Sequence, residues 1–272
     1  MECMHEYGAD GITTIVQGFA KMQLCPSGRL LESIERRSEH VIDGFTPAVV
    51  ANTLWAYAKL GVQPGGDFLS ILREQASYEM GDFSAGALSK TMWSLGKLNL
   101  NPGQDFISLL EEQAIVRIDD FDHLFISKML WAYATLGIRP GKGIMDCLQA
   151  RALSVVCDFN PQSIAMALWG FATIGVEPRG DLMAEMQAQV KAAVVEFTPQ
   201  TIAMVTWSWA TLKVRPTHGN QFKSNPDEPC TSMCIRGFRR VCFGCNFGAA
   251  WHEFDTLRSL GEESRYRLVA VG

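Results

Sequence analysis

FNPQSIAMALWGFATIGVEP, residues 159–178, decides how the rest of the chain is read. The same plan stands at 45–64 as FTPAVVANTLWAYAKLGVQP and at 197–216 as FTPQTIAMVTWSWATLKVRP. Taken singly, Trp169 is either a packing residue or an aromatic platform for a ligand. The repetition turns it into one member of a column. Phe45, Phe83, Phe121, Phe159 and Phe197 are 38 residues apart, and so are Trp55, Trp93, Trp131, Trp169 and Trp207. Pro64, Pro102, Pro140, Pro178 and Pro216 keep the same step. A fixed period of this length marks an array in which each unit cannot bury its apolar face alone and must stack on its neighbours.

Each unit reads as a helical hairpin. The residue after each landmark Phe is Thr46, Ser84, Asp122, Asn160 or Thr198, all residue types whose side-chain oxygen caps a helix N-terminus. Pro47, Pro161 and Pro199 follow at the first helical position, where a missing N–H does no harm. Gly61, Gly137 and Gly175 mark where the first helix stops, and a Pro-bearing connector leads to a second helix such as FLSILREQASYEM. The expected fold is all-α: a right-handed α-solenoid of 38-residue hairpins over 7–216. Its units are 45–82, 83–120, 121–158, 159–196 and a partial 197–216. The segment 7–44 is in register but degenerate, with Gln17 where the Trp would stand. Residues 217–272 lose the phase and read as an irregular tail, disordered or misread.

On a helical wheel the first helix of the 45–82 unit places Val50, Ala51, Leu54, Trp55, Tyr57, Ala58 and Gly61 on one broad apolar arc. An arc this wide is sandwiched between neighbours, which assigns Trp169 to the seam between units. The opposite arc holds Ala48, Asn52, Ala56 and Lys59. Down the array these four columns run Ala48, Gly86, Leu124, Gln162, Gln200; then Asn52, Lys90, Lys128, Met166, Met204. The other two run Ala56, Ser94, Ala132, Gly170, Ser208 and Lys59, Lys97, Thr135, Thr173, Thr211. Variable hydrogen-bonding residues beside a small one make a strip that a ligand could approach, as in modular readers of single-stranded RNA. Ordinary solvated positions would show the same pattern.

FNPQSIA and FTPQTIA, LWAYAKLG and LWAYATLG, the 38-residue period and the closing Pro resemble the octotricopeptide repeat proteins over about residues 7–216. That resemblance implies an organellar factor, chloroplast or mitochondrial, that binds single-stranded RNA and acts in RNA processing, stability or translation, with other protein subunits as further partners. No catalytic constellation is found, since the five His show no ligand spacing with carboxylates or cysteines, and neither catalysis nor a small-molecule substrate is expected. The RAP domain that ends many members is not recognisable here, so the chain is expected to be a fragment of a longer array. The candidate RNA-contacting residues are Asn52, Lys59, Lys90, Lys97, Lys128, Gln162, Met166, Thr173, Gln200, Met204 and Thr211. A protein-binding helical scaffold is the competing reading.

Composition sets the bounds on both. The 272 residues are 47% hydrophobic and 19% charged, enough for a sizeable core. No apolar run reaches the roughly 18 residues a membrane span needs, and MECMHEYGAD has neither a signal peptide's apolar stretch nor a transit peptide's Arg/Ser bias. The formal net charge of −5 argues against a general attraction for phosphate, so any RNA affinity has to come from local placement. Basic residues on the strip concentrate in the units from 45 to 158, which are expected to dominate binding. GIRPGKG at 137–143 lacks the spacing and the Ser/Thr of a phosphate loop and reads as a connector. Cys230, Cys234, Cys242 and Cys245 form C-x3-C-x7-C-x2-C, four thiolates that could hold zinc in principle. Their middle spacing is short for common zinc modules, and no cofactor or metal is assigned.

Overall fold

The computed structural model describes residues 4–213, and the tail at 217–272 with its four cysteines lies outside them. Among the described residues the chain is all-α: eleven α-helices, six short 3-10 turns and no strand. The inner helices are α1 (Ala9–Met22), α3 (Pro47–Leu60), α5 (Ala85–Leu98), α7 (His123–Leu136), α9 (Pro161–Ile174) and α11 (Pro199–Thr211). The outer helices are α2 (Gly28–His40), α4 (Gly66–Tyr78), α6 (Gln104–Val116), α8 (Lys142–Ser154) and α10 (Gly180–Ala192). Inner helices start at 9, 47, 85, 123, 161 and 199, a constant step of 38. The degenerate segment at 7–44 therefore folds as a full hairpin despite lacking the Trp. Its Ile12, Val16, Leu31 and Ile34 are buried and suffice to dock it.

Capping chemistry sets the helix ends. Ser84, Asp122, Asn160 and Thr198 accept hydrogen bonds from the amides of Ala87, Phe125, Ser163 and Thr201. Thr46 has the cap backbone but makes no such side-chain bond. At the other end Gly61, Gly137 and Gly175 turn left-handed, with φ of 68°, 64° and 75°. Asn99 does the same in the 83–120 unit at φ 53°. The amides of Val62, Leu100, Ile138 and Val176 then donate back to Tyr57, Leu95, Tyr133 and Phe171, the six-to-one bond of a Schellman stop. GIRPGKG is one of these connectors, between α7 and α8.

The landmark residues are structural. Phe45, Phe83 and Phe121 are fully buried, Phe159 and Phe197 nearly so, and Pro64, Pro102, Pro140 and Pro178 are buried at the connectors. Each inner helix packs on the inner helices of the units before and after it, and each outer helix on its outer neighbours, with the inner layer far more closely packed. Side chains of the outer helices tie the units together. Arg37, Gln75, Gln113 and Arg151 donate to the carbonyls of Tyr7, Phe45, Phe83 and Phe121, at the start of their own unit. Two residues earlier, Glu35, Glu111 and Gln149 accept from the backbone amides of Gly65, Gly141 and Arg179 in the next unit, and Arg73 donates to the Pro102 carbonyl there. Positions two apart on a helix face nearly opposite ways, so one pair of columns holds the hairpin closed and fixes the following one.

Candidate nucleic-acid interface

Two columns of small residues carry the inner seams. A Cβ on Gly170 would lie 2.9 Å from the Leu130 carbonyl carbon and 2.9 Å from its Cβ, so α9 meets the preceding α7 at backbone distance. A Cβ on Gly96 would lie 3.1 Å from the Trp131 ring and 3.2 Å from the Ala132 Cα, which puts Gly96 against the following helix. Ala56, Ser94, Ala132 and Ser208 share the Gly170 column and are fully buried. That column was expected on the open strip; it is in the seam instead, because helices this close need a small residue where they touch.

The accessible stripe is therefore turned by about one position and runs through Ala48, Asn52, Trp55 and Lys59, at i, i+4, i+7 and i+11. Trp55, Trp93 and Trp207 are half-buried on it, while Trp131 and Trp169 are 3% and 9% exposed. The indoles lie over the mouths of the seams. Trp93 and Trp131 meet with ring centroids 6.3 Å apart, and the Lys59 ammonium sits 5.6 Å from the centre of the Trp93 ring.

Of the candidate contacts, Lys59, Gln162, Thr173 and Thr211 are exposed, and Asn52, Lys90, Lys97, Lys128 and Gln200 are half-buried on the stripe. Met166 and Met204 are not on the open surface: they are 8% and 4% exposed. A flexible apolar side chain lies down on the neighbouring helix where a lysine in the same column extends to water. Lys90 reaches from one unit to the next, its Nζ donating to Asn52 Oδ1 at 2.6 Å. Thr211 donates its hydroxyl to the Trp207 carbonyl at 2.9 Å, and Thr135 to that of Trp131 at 2.8 Å, so towards a ligand these hydroxyls can only accept. Leu124, 40% exposed, adds an apolar member.

Charge is partitioned between the layers. The five inner helices from α3 to α11 contain four lysines, Lys59, Lys90, Lys97 and Lys128, and no Asp or Glu. The outer helices α4, α6, α8 and α10 contain eight Asp or Glu against four Lys or Arg. The carboxylates thus lie on the outer helices and in the short turns between units, at Asp82, Asp119, Asp120, Asp158 and Glu196, and not on these five inner helices. Burial holds the Lys90 ammonium below the usual lysine range. Lys128 is lowered too, first by burial and then by the charges of Lys90 and Lys59, with Asp122 at the helix start opposing them. Lys128, partly buried and beside the like charges of Lys90 and Lys59, is the ammonium on the stripe whose charge a nearby anion would favour, as Asp122 already does.

Among the described residues no helix is long and apolar enough to cross a membrane. No protein-family model matches the chain, and no curated protein matches it either.

Proposed function

We propose that the chain is a modular binder of single-stranded RNA with no chemistry of its own. In this reading it is a right-handed α-solenoid like the octotricopeptide repeat proteins it resembles, acting in RNA processing, stability or translation in a chloroplast or mitochondrion. The observation that carries the proposal is the inner-helix stripe, where the lysines of α3, α5 and α7 share a surface with the half-open Trp55, Trp93 and Trp207 on helices that contain no Asp or Glu. Lysine ammonium groups suit a phosphodiester backbone, and indole faces stack on unpaired bases at about 1–3 kcal/mol each.

The test is equilibrium binding of an unstructured RNA as salt is raised. Four lysines on phosphates give a log–log slope of roughly −3 for single strands. Lys90→Glu with Lys128→Glu should cost at least about tenfold in affinity and flatten the slope by about 1.4; unchanged binding refutes the assignment. A second reading has its own observation. Tyr78, Val116 and Val195, at the far ends of the outer hairpins, are 84%, 74% and 90% exposed, as on a scaffold for another protein. Retention of a protein partner with no affinity for RNA at low salt would decide for it.

A further inference from the structure

The last two inner helices present the same residues at every variable position of the stripe. α9 offers Gln162, Met166, Trp169 and Thr173; α11 offers Gln200, Met204, Trp207 and Thr211. No other adjacent pair does this: Gly86, Lys90 and Lys97 in α5 face Leu124, Lys128 and Thr135 in α7. The likeness extends to the frames that aim the side chains. Both glutamines follow a proline at the first helical position. In both, the residue before that proline, Asn160 or Thr198, caps the amide of Ser163 or Thr201. The same caps touch the hydroxyls of those residues, Asn160 Oδ1 to Ser163 Oγ at 3.1 Å and Thr198 Oγ1 to Thr201 Oγ1 at 3.2 Å. Each glutamine therefore leaves the helix from an equivalently fixed first turn, above a buried methionine, with a threonine two turns further on.

A glutamine amide has a donor and an acceptor side by side, the pattern that reads a base edge, whereas a lysine in the same stripe offers only charge to phosphate. We infer that the α9 and α11 units read two like bases in a row, while α3, α5 and α7 hold the sugar–phosphate backbone with little base preference. The inference rests on the RNA-binding reading and adds to it a feature of the ligand: a homodinucleotide step at one end of the footprint. One helical repeat per base, read by two or three side chains, is what makes equal side chains imply equal bases.

Selection from a library of random single-stranded RNA octamers by the full chain tests it. The expected result is enrichment of one and the same base at two adjacent positions, with weaker preference elsewhere. Gln162→Ala should relax one of the two positions and Gln200→Ala the other, each lowering affinity for the selected RNA by about 5- to 100-fold. Both variants are expected to keep the wild-type melting temperature. Selection of two different bases there, or glutamine variants acting on non-adjacent positions, would overturn the inference while leaving RNA binding intact. Failure to retain any RNA at low salt would instead remove the RNA reading, and this inference with it.

Discussion

Gly18 and Gly170 occupy the same column of the array, and alanine at the two sites should have opposite effects. In a helix interior alanine is favoured over glycine by about 1 kcal/mol. The column faces the preceding inner helix. α1 has none before it among the described residues, and a Cβ on Gly18 meets nothing within 4 Å. Gly18→Ala should then realise the helix-propensity gain, about 1 kcal/mol, raising the melting temperature by about 2–4 °C for a chain this long. At Gly170 the new methyl would stand 2.9 Å from the Leu130 carbonyl carbon and 3.0 Å from its oxygen. Backbone cannot rotate aside, so the overpacking cost falls in the upper part of a range of about 1–3 kcal/mol. Set against the propensity gain, Gly170→Ala is destabilising by about 1–2 kcal/mol. Thermal melts followed by circular dichroism, with amide exchange in α7 and α9 to localise the loss, measure both. Stabilisation by Gly170→Ala matching that of Gly18→Ala would show that α7 and α9 do not meet through this column.

Trp169→Ala removes a nearly buried indole and should cost about 3–5 kcal/mol, visible as a lowered melting temperature; a shift under 2 °C would put the ring outside the seam. Leu95 replaces the aromatic that the column carries elsewhere as Tyr57, Tyr133, Phe171 and Trp209, and it lines a cavity of about 70 Å³ with Leu54, Leu72, Arg73 and Phe106. Leu95→Phe should fill it and stabilise by about 0.5–2 kcal/mol; a lower melting temperature would mean the space cannot accept a ring. Tyr57 donates to Glu35 Oε1 at 3.0 Å, and burial first, then the Glu35 charge, raise its pKa far above the ordinary 10.0. The folded state thus keeps a proton that the unfolded chain releases, so this contribution is complete below pH 10 and is lost as pH rises above it. Tyr57→Phe should reduce the alkaline loss of stability in melts between pH 9 and 11, and an unaltered profile would contradict the assignment.

The period, the hairpins and the helix stops were legible because they rest on local chemistry: Asp122, Asn160 and Gly175 do in the structure what their types dispose them to do. The phase of the open stripe was not. Ala56 and Gly170 carry no polar mark, and a small residue suits an open strip as well as a tight seam, so a wheel cannot tell the two apart. Only the distance from Gly170 to Leu130 does. Met166 and Met204 were misplaced for a related reason: in a column with Asn52 and Lys90 they share a direction, but an apolar chain ends its path on the next helix. Glu35 and Glu111 gave no signal at all, since a carboxylate that holds a backbone amide 30 residues away looks like any solvated glutamate. The charge partition was half visible. The lysines stood out on the strip, but the acidic residues acquire meaning only once the outer helices are seen to carry them.

Cross-linking of bound RNA to the full chain, with the attached peptides mapped by mass spectrometry, tests the central claim most directly. The account predicts adducts on α3, α5, α7 and α11, at Lys59, Lys90, Lys97, Lys128 and the half-open Trp93 and Trp207. Adducts confined to the outer helices α4, α6, α8 and α10, or to residues 214–272, would contradict it.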